Sequence, residues 1–249
     1  TLFPYTTLFR SQIDIINNKI KGFEALLRWD SPELGRISPG EFIPVAEQSG
    51  LIISMGAWII KTVCLQNNLW KSKGYLYDTI GINLSTIQLQ NDKFEETLKN
   101  IIIETNIDPK FVELEITESI FMKNFDNNIK LLTEIRSLGI NIALDDFGTG
   151  YSSLSYLKQL PINTLKMDKS FIDNIVTDKR EKAIVDGIIQ LAQMIGLDVI
   201  AEGAETKEQI KLLQKMGCNQ IQGYYFSKPL PADEIEEKFL KTNRIQPYN

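Results

Sequence analysis

Short apolar runs alternate along this chain with longer segments whose apolar residues recur at helical spacing. The short runs predict strands and the longer segments predict helices, because side chains repeat every two residues in a strand and every 3.6 in a helix. The predicted strands are Ile13–Ile16, Ile20–Leu27, Thr79–Leu84, Val112–Ile116, Ile140–Leu144, Thr164–Met167, Asp198–Ala201 and Gln220–Phe226. The predicted helices are Ser38–Gly50, Ser54–Ser72, Asp92–Thr105, Asp126–Leu138, Ser152–Gln159, Lys179–Ile195, Lys207–Met216 and Ala232–Leu240.

The order of these elements predicts the fold class. Asn17 and Asn18 tolerate positive φ, so the first two strands form an antiparallel hairpin. The later strands alternate with helices, which implies parallel pairing through crossovers. Together they predict an α/β fold, a modified (β/α)8 TIM-type barrel with an antiparallel first strand. An open doubly wound sheet is the alternative, but no glycine-rich phosphate turn follows an early strand.

The two ends of the chain differ from this pattern. Residues 1 to 11, TLFPYTTLFRS, fit poorly with the rest of the chain and are treated as a leader: an incomplete first strand, a linker or foreign sequence. The barrel is expected over residues 12 to 240, and residues 241 to 249 form a C-terminal tail.

Composition excludes several classes of protein. The net charge is −5, without a basic stripe, which argues against a partner that is a DNA or RNA polymer. No apolar run is long enough to span a bilayer and no signal peptide is visible, so we expect no direct membrane insertion. The two cysteines, Cys64 and Cys218, are far apart, which favours a reducing compartment. We expect a cytoplasmic location, with a larger membrane-tethered parent protein left open.

Histidine is absent. Chemistry must therefore come from carboxylates, amides, lysine, arginine and a metal with oxygen ligands.

The segment INIALDDFGTGYSSL, from Ile140 to Leu154, carries the clearest chemical signal. Its apolar run ends in Asp145 and Asp146, whose charges repel each other. Unless a cation lies between them, one is pushed toward its protonated form. The pair therefore indicates either a metal site or a solvated turn before Gly148.

Polar side chains fall at the carboxyl ends of most other predicted strands as well. In a barrel of this type those ends carry the chemistry. The polar residues there are Glu24, Arg28, Asn83, Glu113, Glu115, Glu118, Asp145, Asp146, Lys166, Asp168, Glu202, Glu205 and Gln222. Taken singly, Glu205 could cap a helix, Glu118 and Asp168 could be loop acids, and Lys166 could pair with a nearby carboxylate.

Five of these residues are hard oxygen ligands, with no sulfur or imidazole among them. Such a set prefers Mg²⁺ or Mn²⁺, and four carboxylates around one ion would leave excess negative charge, so two ions are expected. The proposed ligands are Glu24, Asn83, Glu115, Asp145 and Asp146. Lys166 and Arg28 add positive charge for an anion such as a phosphate ester, and Glu202 is the candidate proton acceptor for water.

These motifs together resemble a known family. The segments GFEALLRW, INLS, ELEITES, DDFGTGYSSL, LKMDKSF, AEGAE and QGYYFSKPL, in this order, resemble the EAL domain, the bacterial phosphodiesterase of cyclic di-GMP. The resemblance implies a modified barrel and metal-dependent opening of cyclic di-GMP to linear pGpG. It covers residues 12 to 240 and departs from the family in having Ser11 and Gln12 where Tyr-Gln-Pro is usual, and Ala204 where valine is frequent.

The resemblance also implies roles for individual residues. Glu24, Asn83, Glu115 and Asp145 match metal ligands, and Asp146 matches a ligand of the second ion. Lys166 and Glu202 match the positions that activate water. The expected substrate contacts are Leu27, Arg28, Lys166, Asp168, Glu205, Gln222 and Tyr224. The expected regulatory loop, which couples metal binding to homodimer formation, includes Glu118, Phe147, Gly148, Thr149 and Gly150. Ca²⁺ is expected to inhibit.

Two other functions remain to be compared with this one. A catalytically silent receptor for cyclic di-GMP would typically have lost metal ligands, whereas every expected acid is present here. A Schiff-base aldolase would need a neutral Lys166, and the surrounding acids should keep that lysine charged.

Overall fold

The computed structural model describes residues 5 to 122, 124 to 148 and 157 to 242. Its strands are β1 Tyr5–Asp14, β2 Lys19–Ser31, β3 Gly35–Ile37, β4 Thr79–Asn83, β5 Val112–Thr117, β6 Asn141–Phe147, β7 Thr164–Met167, β8 Asp198–Glu202 and β9 Gln220–Gln222. Its α-helices are α1 Pro39–Ser49, α2 Leu51–Ser72, α3 Thr86–Leu89, α4 Phe94–Thr105, α5 Phe125–Ser137, α6 Lys169–Asp173, α7 Lys179–Met194, α8 Lys207–Lys215 and α9 Ala232–Ile235, the last continued by a π-helical turn, Glu236–Leu240.

Eight of the strands close into a barrel. The order around it is β1-β9-β8-β7-β6-β5-β4-β2, and β1 also pairs with β2. Strand β1 is antiparallel to both of its neighbours, whereas the pairs from β2 through β4 to β9 are parallel. The predicted barrel with an antiparallel first strand is therefore confirmed. The short strand β3 extends β2 outside the closed ring.

Alternation along the strands separates an apolar layer from a polar interior. Phe23, Leu114 and Leu165 belong to the buried apolar core between the strands and the helices. The residues next to them in sequence, such as Glu24 and Glu115, lie on the opposite face, which lines the barrel interior. The fold therefore directs one side chain in two from most strands toward a common axis.

The structure corrects the predicted boundary at residue 12. Residues 5 to 11 belong to β1 and pair with β2, from Tyr5 opposite Trp29 to Ser11 opposite Phe23. Local sequence does not reveal this strand, because the residues that it pairs with lie in another strand. The last predicted strand is also shorter, since β9 ends at Gln222.

Several smaller elements were not predicted, among them β3, α3 and α6. The predicted helix Ser152–Gln159 lies mostly outside the described residues. Taken alone, no helix in the described part of the chain has the length and apolar composition of a membrane span. Helices α1 and α2 meet that test only together, as a pair bent by 118°.

Candidate active site

Three buried carboxylates from three different strands converge at the carboxyl end of the barrel. Glu24 on β2, Glu115 on β5 and Asp145 on β6 each offer an oxygen, and these oxygens lie within 4.8 Å of one another. The side chains are nearly inaccessible, with 5%, 1% and 7% exposure. Three like charges in so small a buried volume repel strongly, so the cluster requires compensating positive charge.

Two side-chain amides donate hydrogen bonds to the carboxylate of Glu24. The Asn83 Nδ2 donates to Glu24 Oε1 at 2.8 Å, and the Gln222 Nε2 donates to Glu24 Oε2 at 2.6 Å. The parallel register places Asn83 directly beside Glu115, and Gln222 beside Glu202. Two residues predicted from strand ends therefore hold the glutamate in place.

Lys166 provides the positive charge inside the cluster. It is fully buried, and its Nζ lies 2.5 Å from Glu115 Oε2, 2.7 Å from Glu202 Oε1 and 3.1 Å from Asp145 Oδ1. Burial alone would lower the pKa of Lys166, but Asp145, Glu115 and Glu202 together raise it well above its ordinary value. A lysine held charged in this way is a poor Schiff-base nucleophile, which argues against the aldolase.

The balance between burial and the charge of Lys166 shifts the pKa values of the neighbouring acids in different directions. Burial, opposed by Lys166, raises the pKa of Glu115 well above its ordinary value and that of Glu202 to about 7. Burial also acts to raise the pKa of Glu24, but the charges of Lys166 and Arg10, with Arg10 Nη1 3.5 Å from Glu24 Oε2, and the hydrogen bonds from the two amides produce a net lowering. Glu202 is thus poised to exchange a proton near neutral pH.

The donor set fits a divalent cation. Glu115 Oε1 is buried without a hydrogen-bond partner in the part of the chain that the structure describes, and such an unpaired oxygen inside an acidic cluster is suited to bind a metal. All the donors are carboxylate or amide oxygens, which Mg²⁺ and Mn²⁺ prefer. Glu24, Asn83, Glu115 and Asp145 could therefore hold such an ion.

Gly81 shapes this site, although it was not among the predicted site residues. It lies on β4 beside Glu113, and a Cβ built on it would stand 1.9 Å from Glu115 Oε1. A glycine inside a strand marks a close approach of another group, and that signal was present in IGINLS. The absence of a side chain at Gly81 makes room for the carboxylate of Glu115.

We expect Gly81→Ala to displace Glu115 and weaken divalent-metal binding. The methyl group must move the carboxylate, and overpacking of this kind costs about 1–3 kcal/mol. Isothermal titration calorimetry with Mn²⁺ measures the change in affinity. Gly187→Ala on α7 is the matched control, because a Cβ there meets nothing within 4 Å. Equal Mn²⁺ affinity in both variants would contradict this role for Gly81.

Asp146 follows the cluster and has an unusual backbone. Its φ is 51°, in the left-handed region that non-glycine residues seldom occupy. Partial burial raises the pKa of Asp146, and the negative charges of Asp145 and Asp168 raise it further. The expected shift of one member of the Asp-Asp pair toward protonation agrees with this direction. Strain of this kind is often found at functional sites.

Part of the expected regulatory loop lies in the described residues. The Gly148 backbone N–H donates to Glu118 Oε1 at 2.8 Å, and Phe147 is buried. Gly148 has φ of 95°, and a Cβ on it would stand 2.3 Å from the Phe171 ring. Glu118 is thus tied to the segment that follows Asp146. Thr149 and Gly150 lie outside the described residues.

Four expected substrate contacts lie apart from the buried cluster. Asp168 caps α6 by accepting from the Ser170 N–H at 3.0 Å, and Glu205 pairs with Lys169. The Arg28 guanidinium donates to the Leu27 carbonyl at 2.8 Å, and Tyr224 is 43% exposed. Asp168 and Glu205 therefore make the local contacts that single loop acids commonly make. The Lys169–Glu205 pair was not predicted because it joins the first residue of α6 to the distant segment before α8.

A second inward carboxyl, Glu113, does not join the cluster. It lies one layer below Glu115 on β5, and its Oε2 accepts from Thr164 Oγ1 at 2.7 Å. Burial raises the pKa of Glu113. The alternation that brings Glu115 to the site therefore places Glu113 toward the opposite end of the barrel.

Comparison with known proteins supplies independent findings. The family model described as the EAL domain matches residues 5–229. The MucR protein of Pseudomonas aeruginosa, named a bifunctional diguanylate cyclase/cyclic di-GMP phosphodiesterase, is 39% identical over 219 residues, which is 88% of this chain and 32% of that protein. Eight curated relatives are matched over 26% to 38% of their own length, so the chain spans only a part of each.

Solved structures share the fold. The PaMucR phosphodiesterase in complex with c-di-GMP superimposes with a TM-score of 0.88 at 37% identity, covering 93% of this chain and 94% of that one. The manganese/cy-diGMP complex of BlrP1 from Klebsiella pneumoniae has a TM-score of 0.79 at 26% identity, covering 91% of this chain and 56% of that one. These proteins are similar to the present chain along almost the whole barrel.

Proposed function

The chain belongs to the EAL domain family, and on that premise we propose that it is a metal-dependent phosphodiesterase that hydrolyses cyclic di-GMP to linear pGpG. The observation that carries the proposal is the convergence of Glu24, Glu115 and Asp145 on one point beside Lys166. The complexes of PaMucR and BlrP1 with the cyclic dinucleotide support the choice of substrate.

The metal would be held by the cluster and its neighbours. Glu24, Asn83, Glu115 and Asp145 are the proposed ligands of the first Mg²⁺ or Mn²⁺ ion, with Asp146 at a second. When bound, such ions lower the pKa of water and offset negative charge on the phosphate. We propose two ions because four carboxylates exceed the charge of one. Ca²⁺, larger and less demanding in geometry, is proposed to occupy the site and slow the reaction.

Residues of the chain would handle the proton and the phosphate. Glu202, with its pKa near neutral, is proposed to accept the proton that water loses as it attacks phosphorus. Lys166 orients Glu202 at 2.7 Å and remains charged throughout, so it would stabilise negative charge that develops on the phosphate oxygens. The released 3′ oxygen would take up a proton to complete hydrolysis.

Residues at the mouth would hold the rest of the substrate. Arg28 is half-buried four residues beyond Glu24 on β2 and is proposed to donate to an anionic oxygen, with Leu27 beside it. Gln222, Asp168, Glu205 and Tyr224 are proposed to bound the pocket. A coupling of the metal site to a homodimer through the loop of residues 147 to 153 is also proposed, and the hydrogen bond from the Gly148 N–H to Glu118 Oε1 supports the link within the chain.

We expect the purified protein to convert cyclic di-GMP to pGpG when Mg²⁺ or Mn²⁺ is present, because both the ligands and the proton acceptor are in place. Excess Ca²⁺ should slow the conversion and a chelator should stop it. Anion-exchange chromatography of the products measures this directly. Binding of cyclic di-GMP without turnover under these conditions would instead support a catalytically silent receptor.

The setting of this activity is also a proposal. Since the chain spans only part of each curated relative, we propose that the barrel works within a longer signalling protein. The buried thiols of Cys64 and Cys218 form no disulfide, which favours the reducing cytoplasm.

A further inference from the structure

A second cavity opens at the opposite end of the barrel, where the parallel strands begin. Its volume of about 560 Å³ lies within the range of small-molecule sites. The wall includes the first residues of four parallel strands, which are Thr79, Asn141, Thr164 and Asp198. We call it the N-terminal cavity. It is separate from the acidic cluster, since Glu113 lines it while Glu115 belongs to the cluster.

The floor of the N-terminal cavity carries buried polar groups that lack partners. Gln12 is 1% exposed, and its Nε2 has no hydrogen-bond partner among the described residues. Within the same part of the chain Gln220 Oε1 is likewise buried without a partner, and both residues line the cavity. An unpaired buried donor and acceptor cost free energy unless another molecule pairs with them.

Glu113 adds a third polar group at the floor. Its carboxyl is 4% exposed and holds a single side-chain hydrogen bond, to Thr164. No cation lies within ion-pair distance of Glu113 in the described part of the chain. The floor therefore offers an amide donor, an amide acceptor and a carboxyl, all of which can pair with hydroxyl groups.

The rim of the cavity carries lysine, arginine and aspartate side chains. Lys21 lies between Asp78 at 3.1 Å and Asp198 at 3.3 Å, a group in which the two carboxylates exceed the charge of the lysine, and Lys110 is paired with Asp108 at 2.5 Å. Arg136, at the end of α5, forms no ion pair with any described residue. Its guanidinium is thus the rim cation without a carboxylate partner among the described residues, and its planar fork suits a carboxylate or phosphate.

We propose that the N-terminal cavity is a binding site for a small organic anion with a hydroxyl-rich body. The anionic group would lie at the rim on Arg136, and the hydroxyl groups would pair with Gln12, Gln220 and Glu113 on the floor. The site is independent of the phosphodiesterase reaction and uses none of the residues proposed for it.

Calorimetry on the metal-free protein, in the presence of a chelator, tests this site without occupying the acidic cluster. The probes are glucose 6-phosphate and gluconate, which differ in the anionic group, and glucose, which lacks one. At least one anion should bind at millimolar concentration or better, and glucose at least about tenfold more weakly. Binding of the phosphate alone, or of the carboxylate alone, identifies the anionic group.

Two variants locate the binding. Arg136→Ala should weaken the anion about tenfold or more, whereas Arg180→Ala, an exposed arginine of α7 away from the cavity, should leave it unchanged. Gln12→Leu should remove binding without loss of thermal stability, because it replaces an unpaired amide with an apolar group of similar size. Failure of both anions to bind, or binding that Arg136→Ala does not weaken, would overturn the proposal.

Discussion

Lys166→Met should destabilise the metal-free protein by about 3–5 kcal/mol, because it leaves a buried group of carboxylates without its counter-charge. Lys166 lies within 3.1 Å of Glu115, Asp145 and Glu202, and all four side chains are buried or nearly so. The acids could not all remain ionised once the lysine is removed. Urea denaturation in the presence of a chelator measures the loss in the free energy of unfolding.

Two comparisons make this result specific. Mn²⁺ should recover part of the lost stability, since a cation in the cluster replaces the missing charge. Lys61→Met, which removes an exposed ion pair with Glu104 at 2.6 Å, should change the free energy of unfolding by about 1 kcal/mol or less. If the two variants were equally stable, Lys166 would not be the counter-charge of the cluster.

Glu202→Gln should reduce the turnover of cyclic di-GMP by a factor of at least about 10², while the affinity for the nucleotide is retained. Glutamine keeps the size of the side chain but cannot accept the proton from water. The turnover number comes from chromatography of the product, and the dissociation constant from calorimetry. If binding fell as much as turnover, Glu202 would act in holding metal or substrate and not as the proton acceptor.

The same substitution has a signature in stability that needs no substrate. The pKa of Glu202 is raised from 4.5 to about 7 in the metal-free fold. Because the folded state holds this proton more tightly, its stabilising contribution is full below pH 4.5 and is lost as the pH rises through about 7. Glu202→Gln should flatten that part of the pH profile of the free energy of unfolding. An unchanged profile would contradict the shifted pKa.

The cluster was predictable because strand alternation and parallel pairing are both visible in sequence. Glu115, Asp145 and Lys166 each follow an apolar neighbour in a short strand, so each lies on the face opposite the core. Parallel strands then bring their carboxyl ends to one mouth of the barrel. The resemblance to the EAL domain, carried by seven motifs, assigned the same residues independently.

Other features could not be predicted, because they depend on contacts between segments that are far apart in the sequence. The strand at residues 5 to 11 is recognised only through its register with β2. The local contacts of Asp168 and Glu205, a helix cap and an ion pair with Lys169, were not specified by their places at strand ends, and their predicted contacts with substrate stay predictions. Gly81 was visible as a glycine within a strand, but its reason, the approach of Glu115, requires coordinates.

The position of a bound metal ion decides whether the acidic cluster is the catalytic centre. Crystals of the protein grown with Mn²⁺ and cyclic di-GMP, in the Glu202→Gln variant to retain the substrate, allow the ion to be located by its anomalous scattering. We predict an anomalous peak coordinated by Glu24, Asn83, Glu115 and Asp145, with a phosphate oxygen of the nucleotide beside it. Bound nucleotide with no peak among these side chains, or with the peak at other ligands, would contradict the proposed metal site.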